Sequence, residues 1–305
     1  MKRQAAMEPA SHNFKIADHG IRITFAAGNS RNSMSLLPAM NAFRTEELEG
    51  PPLFELEVDD STRPAEGRSR LKTFDTGNGD TTIYLLPDGG YQFIIKDIQG
   101  NGCCLLITDS GFRHGRCALN GNEGMRTFGL NDALMLLFAF AGCLNDTLLI
   151  HASCVRNRGK AFPFIAKSGT GKSTHSALWL QHIEGTDLIN DDNPAVRIVN
   201  GLPVLYGTPW SGKTPCYRNV KAPLGAIVKI ERAQANSMER LRPAQALAAL
   251  MPACSTMKWN ASLQNAICDL MARIISTTPI FTLYCLPDKE AATLCRQNVM
   301  TSESE

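Results

Sequence analysis

The sequence predicts an α/β protein whose N-terminal part is rich in β-strands, and two patterns lead to this. Between about residues 10 and 120, apolar runs of strand length alternate with turn sequences such as Pro87-Asp88-Gly89-Gly90. After residue 130, apolar runs of helical length alternate with short buried strands and hairpins. We therefore predict a β-rich domain over residues 1–125 and an α/β domain over residues 126–305.

The predicted N-terminal strands are joined by short turns. Residues 14–16 and 21–25 flank Asp18-His19-Gly20, which is typical of a hairpin. Apolar and acidic residues alternate over residues 53–58, as in a half-buried strand. The further strands predicted here are residues 83–86, 91–95 and 103–108.

The α/β part begins with a helix predicted over residues 130–142, for which Asn131 or Asp132 would be the N-cap. Pro163 lacks a backbone N–H, so the strand that contains it is predicted to be short or to lie at a sheet edge. The remaining predicted strands are 148–150, 162–166, 187–190, 195–199, 224–230 and 280–286, and the helices are 172–182, 243–250, 261–275 and 288–298.

Composition excludes several classes of protein. The 305 residues are 44% hydrophobic. Their formal net charge is only +2, which is too small to attract nucleic acid through the overall electrostatic field. The longest apolar run, residues 133–143, is too short to cross a bilayer, and no apolar segment follows the N-terminal Lys-Arg pair. The ten cysteines form no C-x-x-C pair, which favours reduced thiols in a cytoplasm. We expect a cytoplasmic protein that binds neither nucleic acid nor membrane.

The strongest motif is the run A-K-S-G-T-G-K-S-T at residues 166–174, between an apolar strand and a helix. Its glycines let backbone N–H groups curl around an anion, and the helix N-terminus adds partial positive charge. Lys172 would reach the β- and γ-phosphates of a nucleotide, and Ser173 would offer its hydroxyl to Mg²⁺. Ala166 stands where this motif usually has glycine, and alanine fits if its φ is negative. The predicted nucleotide-binding residues are Ser168, Gly169, Thr170, Gly171, Lys172, Ser173 and Thr174.

An acid pair, Asp191-Asp192, follows an apolar strand about twenty residues later. Asn193-Pro194 ends the strand there, so the two carboxylates can have different roles. One could hold Mg²⁺ while the other accepts the proton of an attacking hydroxyl. His151 ends the preceding apolar strand, and its spacing alone does not establish a function.

These three motifs together resemble the core of bacterial HPr kinase/phosphorylase, whose fold is shared with phosphoenolpyruvate carboxykinase. The resemblance covers residues 145–235 and implies a P-loop core with a mixed sheet. It also implies ATP and Mg²⁺ as cofactors, Asp191 as the base on a seryl hydroxyl, and Asp192 with Ser173 as metal ligands. His151 would be a second active-site group near the transferred phosphate. A homo-oligomer is a candidate assembly on the same ground.

The segment after the acid pair departs from the HPr enzymes, because their arginine- and glycine-rich catalytic segment is absent. Residues 206–218 instead read Y-G-T-P-W-S-G-K-T-P-C-Y-R, similar to a divergent group of HPr-kinase-like proteins. Lys213 is predicted as a further catalytic residue, and Trp210, Ser211 and Arg218 as a clamp on the γ-phosphate or the acceptor. The segment could equally be a surface loop. His175 is expected on the helix surface.

The function predicted from the sequence is an ATP- and Mg²⁺-dependent kinase acting on a hydroxyl, most simply a serine or threonine of a small protein or peptide. A small-molecule kinase, a carboxykinase-like enzyme and a nucleotide-binding pseudokinase or sensor are the alternatives. The first 125 residues would then serve recognition or assembly. The sequence does not identify the acceptor.

Overall fold

The structure is a computed structural model that describes residues 8–212 and 214–301. These described residues divide into two compact units, one ending at residue 141 and the other beginning at residue 142. The division lies at the end of a long helix rather than near residue 125, because that helix belongs with the first unit for most of its length. The predicted catalytic Lys213 lies outside the described residues.

The first unit is built on one large sheet. Among its described residues, nine strands follow the order β3-β1-β2-β4-β9-β8-β7-β6-β5. Neighbours are antiparallel except β2–β4 and β4–β9, which are parallel. The sequence reasoning missed β3, β5 and β9. The elements are β1 (Ala10–Ile16), β2 (His19–Phe25), β3 (Arg44–Thr45), β4 (Phe54–Val58), β5 (Ser69–Asp75), β6 (Asp80–Leu85), β7 (Tyr91–Lys96), β8 (Gly102–Thr108), β9 (His114–Leu119) and α1 (Glu123–Cys143), with 3-10 turns at Met34–Leu36 and Pro38–Phe43.

The β1–β2 hairpin is confirmed, with its turn one residue earlier than the motif suggested. Ala17 and Asp18 both have positive φ, 50° and 59°, and β2 resumes at His19. Two consecutive residues with positive φ match the right-handed twist of the flanking strands. Ile16 and Ile21 on either side are fully buried, so the turn fixes which face of the hairpin enters the core.

Helix α1 begins earlier than predicted and packs tightly on the sheet. Asn122 accepts a hydrogen bond from the backbone N–H of Met125, so Asn122 caps the helix and neither Asn131 nor Asp132 does. A side chain at Gly129 would come within 2.9 Å of the backbone of Cys103 in β8. Glycine is therefore needed there to let helix and strand approach.

The second unit contains two sheets among its described residues, a four-stranded one in the order β10-β14-β15-β16 and a six-stranded one in the order β13-β11-β12-β17-β19-β18. Its elements are β10 (Thr147–Leu149), β11 (Ala152–Asn157), β12 (Lys160–Ile165), α2 (Lys172–His182), β13 (Thr186–Asn190), β14 (Ala195–Val199), β15 (Leu202–Tyr206), β16 (Lys221–Pro223), β17 (Ile227–Arg232), β18 (Ser237–Arg240), α3 (Pro243–Leu250), a 3-10 turn (Met251–Ala253), α4 (Ala261–Thr277), β19 (Ile280–Cys285) and α5 (Lys289–Thr301).

The core of this unit positions the loop before α2. Phe162 and Phe164 of β12 pack against Trp179 of α2, with ring centroids 5.5 and 5.6 Å away. All three side chains are fully buried, which fixes α2 on the sheet. The glycine-rich loop is thus held at both ends by the same aromatic cluster.

Of the two alternatives predicted for the strand that contains Pro163, short or at a sheet edge, the edge position is wrong. β12 lies inside the six-stranded sheet, antiparallel to β11 and parallel to β17. The continuous pairing of β12 with β17 starts only at Phe164. Pro163 therefore precedes the β12–β17 hydrogen bonds, and its missing N–H leaves none of them unmade.

The mixed α/β class is confirmed, with three sheets in the described part of the chain. The helices 172–182 and 243–250 and the strand 195–199 have the predicted bounds. Strands β11, β15, β16 and β18 were missed. Within residues 8–212 and 214–301, no helix has both the length and the apolar character needed to cross a membrane.

Gly129→Ala is expected to destabilise the protein by about 1–3 kcal/mol, because the added methyl group meets the β8 backbone. Gly124→Ala, in the exposed first turn of the same helix, should instead stabilise it by up to about 1 kcal/mol through helix propensity. Urea unfolding measures both. An equal gain in stability for the two variants would contradict the close approach.

Candidate nucleotide and acceptor site

The glycine-rich loop connects β12 to α2 at residues 166–171. Gly169 and Gly171 have φ values of 77° and 131°, which residues with a side chain rarely adopt. Ala166 is not among the described residues with positive φ, so alanine fits at that position. The side chains of Ser173 and Thr174 are exposed at the start of α2. The loop therefore has the backbone freedom and the open helix N-terminus that phosphate binding requires.

Lys172 and Asp192 both contact His151. The Lys172 Nζ lies 2.8 Å from His151 Nε2, and His151 Nδ1 lies 3.1 Å from Asp192 Oδ1. Because an ammonium group can only donate, Nε2 accepts, and the proton of a neutral imidazole is then on Nδ1, the nitrogen that faces Asp192. Burial lowers the pKa of Lys172, although Asp192 and Asp191 act to raise it. Residues from three separate motifs are thus in direct contact.

Asp191 lies in a different environment from Asp192. Its side chain is buried, with 4% of its surface exposed. Its Oδ1 accepts a hydrogen bond of 2.6 Å from Ser153 Oγ, which lies 2.5 Å from Ser176 Oγ. Its Oδ2 is buried without a hydrogen-bond partner. By contrast, Asp192 Oδ2 accepts from Asn193 Nδ2 at 2.7 Å.

The segment after β15 folds back onto the acid pair. Asn190 Nδ2 donates to the backbone oxygens of Thr208 and Trp210, both at 3.2 Å. Its Oδ1 accepts from the backbone N–H groups of Asp192 and Asn193, both at 2.9 Å. A side chain at Gly212 would come within 3.1 Å of the Asp191 carbonyl oxygen. This second loop, the segment after β15, therefore borders the acid pair, and its role as a clamp stays a prediction.

The individual clamp residues differ in their placement. Trp210 is buried, and Ser211 donates to the Thr214 carbonyl oxygen at 2.7 Å. Arg218 pairs with Asp187 at 2.8 Å and also donates to the Leu188 carbonyl oxygen. Those contacts lie before the acid pair along β13. The role predicted for Arg218 in holding the γ-phosphate stays a prediction, and in this conformation its guanidinium stabilises the strand.

The expected surface position of His175 is wrong. Its side chain is buried and packs edge-on against Phe164, with ring centroids 4.6 Å apart. Its Nε2 accepts a hydrogen bond of 3.1 Å from Trp179 Nε1. Burial lowers the pKa of His175 to about 4, so the neutral imidazole belongs to the core.

Four residues of the site were missed by the sequence reasoning: Ser153, Ser176, Asn190 and Arg232. Arg232, at the end of β17, donates to the carbonyl oxygens of Gly169 and Thr170 at 2.5 and 2.9 Å, and so supports the loop. Ser153 comes near Asp191 only through the pairing of β11 with β13, and Ser176 of α2 reaches the site through its contact with Ser153. For Asn190 a signal existed, since asparagine commonly forms turns at strand ends.

The residues present suit a magnesium–nucleotide ligand. The partly exposed Asp192 carboxylate and the exposed Ser173 hydroxyl are oxygen donors, which Mg²⁺ prefers. Within the described part of the chain, no cluster of three or more His, Cys, Asp or Glu residues could hold a metal alone. Mg²⁺ is commonly held by one or two carboxylates together with substrate phosphates, which matches this sparse set.

Comparison with known proteins identifies no family for this chain. No protein-family model matches the chain, and no curated protein matches it. A similar solved structure is the HPr(Ser) kinase/phosphatase from Coxiella burnetii, which is 10% identical over 51% of this chain and 98% of that one, with a TM-score of 0.33. The overlap is too loose for us to transfer fold or function from it.

His175→Gln is expected to make stability less dependent on pH. The folded-state pKa of about 4 lies below the ordinary value of 6.5, so the unfolded chain takes up the proton first. Stability is therefore complete above the ordinary pKa and is lost as the pH falls towards 4. Between pH 7 and pH 5 the wild type should lose roughly 2 kcal/mol more than the variant.

Glutamine keeps an acceptor for Trp179 but does not titrate in this range. Urea unfolding at the two pH values measures the difference, and His182→Gln on the same helix is the matched control for removing an imidazole. Equal pH dependence in wild type and His175→Gln would contradict a buried neutral His175.

Proposed function

We propose that this chain is an ATP- and Mg²⁺-dependent phosphotransferase with an HPr kinase-like or phosphoenolpyruvate carboxykinase-like core. The observation that carries this is the position of His151, within hydrogen-bond distance of both Lys172 and Asp192. The phosphate-loop lysine and the acid pair therefore face one small region. Phosphoryl transfer depends mainly on positioning and charge neutralisation, and these groups supply both.

The loop and the start of α2 would bind the nucleotide. Backbone N–H groups of residues 168–174 would surround the phosphates, and the ammonium of Lys172 would neutralise them. Ser173 and Asp192 would hold the magnesium ion, which supplies charge neutralisation on the phosphate oxygens when bound. In the described conformation His151 orients Lys172 and Asp192 towards each other.

Asp191 would act on the acceptor. Its Oδ2 is buried and has no hydrogen-bond partner, so it can accept the proton of an incoming hydroxyl. The acceptor we favour is a serine or threonine of a small protein or peptide, with a small alcohol as the alternative. The N-terminal unit would serve recognition or assembly. A cytoplasmic location and a homo-oligomer remain predictions from the sequence.

A nucleotide sensor without turnover is the rival of a different class. It would need the loop and Lys172, but not a buried carboxylate oxygen kept without a partner. Leaving such a group unsatisfied costs about 1–3 kcal/mol, which a purely binding protein has no reason to retain. Asp191 therefore favours catalysis.

Lys172→Ala is expected to weaken MgATP binding by about tenfold to a hundredfold, because charge-assisted hydrogen bonds to phosphate are lost. Titration with a fluorescent ATP analogue measures it, and Lys289→Ala, on the exposed start of α5, is the control. Unaltered affinity in Lys172→Ala would mean that the loop is not the nucleotide site.

Asp191→Asn is expected to retain nucleotide binding and to lower phosphoryl transfer by about a hundredfold or more. The purified protein is incubated with labelled ATP, Mg²⁺ and cell extract, and the labelled product is identified by mass spectrometry. Asp269→Asn, on the exposed face of α4, is the matched control. If the wild type labels no acceptor and Asp191→Asn changes no measured turnover, the protein is not a kinase of this type.

A further inference from the structure

Two buried serines connect the acid pair to the helix that follows the phosphate loop. Ser153 in β11 is fully buried, and Ser176 in α2 is 2% exposed. We propose that Ser153 and Ser176 are positioning residues: they hold one oxygen of Asp191, so that its other oxygen faces the acceptor hydroxyl. This inference rests on the function proposed above.

The hydrogen bonds in this group can run in only one direction. An ionised carboxylate only accepts, so Ser153 donates its single hydroxyl proton to Asp191 Oδ1. Ser153 Oγ must then accept from Ser176, which lies 2.5 Å away. The result is an ordered chain from Ser176 through Ser153 to Asp191, and both hydroxyl rotors are fixed.

This series of hydrogen bonds determines which oxygen of the Asp191 carboxylate is left to accept the acceptor's proton. With Oδ1 held by Ser153, the carboxylate plane cannot rotate without losing a buried hydrogen bond, and Oδ2 is left without a partner. Asp192 is different, because His151 and Asn193 contact its two oxygens. The two adjacent aspartates thus have different roles: Asp191 is the oriented base, and Asp192 lies next to the residues that would bind the nucleotide.

Ser176 also places the base relative to the phosphates. It lies four residues after Lys172 on α2, one helical turn away on the same face. A single rigid turn therefore carries both the phosphate-binding lysine and the outer end of the chain that orients Asp191. Phosphoryl transfer is sensitive to such spacing, since misplacement by about 1 Å can reduce a rate by about a hundredfold.

The decisive variant is Ser153→Ala. We expect kcat to fall by about tenfold to a hundredfold while MgATP affinity is retained, since supporting hydrogen bonds to functional groups have effects of this size. Ser153→Cys keeps a weak donor and should give an intermediate kcat, and Ser176→Ala should give a smaller fall than Ser153→Ala.

The control is Thr282→Val in β19, which removes another buried hydroxyl from the same sheet and should leave kcat unchanged. A purely structural role predicts equal losses of kcat and nucleotide affinity, or a fall shared by Thr282→Val. Full kcat in Ser153→Ala would overturn the proposal.

A crystal structure of Ser153→Ala separates this inference from the proposed function. We expect the Asp191 carboxylate to rotate away from its wild-type orientation, whether or not any turnover is measured. An unmoved carboxylate would overturn the positioning role. A rotated carboxylate in a protein without phosphoryl transfer would support the positioning role and reject the kinase.

Discussion

The buried side-chain amide of Asn190 joins the two turns on which the candidate site depends. Its nitrogen donates to backbone oxygens of the second loop, and its oxygen accepts from backbone N–H groups of the acid turn. The two turns also contact each other directly, since the backbone N–H of Asn193 donates to the Trp210 carbonyl oxygen at 3.3 Å. The amide thus fixes the direction in which Asp191 and Asp192 leave the strand, and places Gly212 against them.

Much of the fold could be predicted because local chemistry and global packing agree. The helix over residues 172–182 and the strand over residues 195–199 have apolar patterns that match their final burial. Strand order could not be predicted, since it depends on pairings between distant segments. Pro163 illustrates this, because the sequence indicates a missing donor but not that the neighbouring ladder starts one residue later.

For the candidate site too, local features could be predicted from the sequence and long-range ones could not. Motifs that are contiguous in sequence identified the phosphate loop and the acid pair. The distance between these two motifs is known only from the structure, in which His151 contacts both Lys172 and Asp192. The environment of a single residue was less predictable still: His175 has a polar side chain near the start of a helix, but an aromatic cluster and the indole N–H of Trp179 accommodate it in the core.

The position of β12 inside its sheet has a consequence for how the protein is made. The strand that leads into the phosphate loop can pair with β11 as soon as both have been synthesised. Its other neighbour is β17, and β17 in turn pairs with β19, near the end of the chain. Closing contacts over such separations is slow, and parallel pairing requires them. On the ribosome, the residues of the site are therefore all synthesised well before the sheet that supports them is complete.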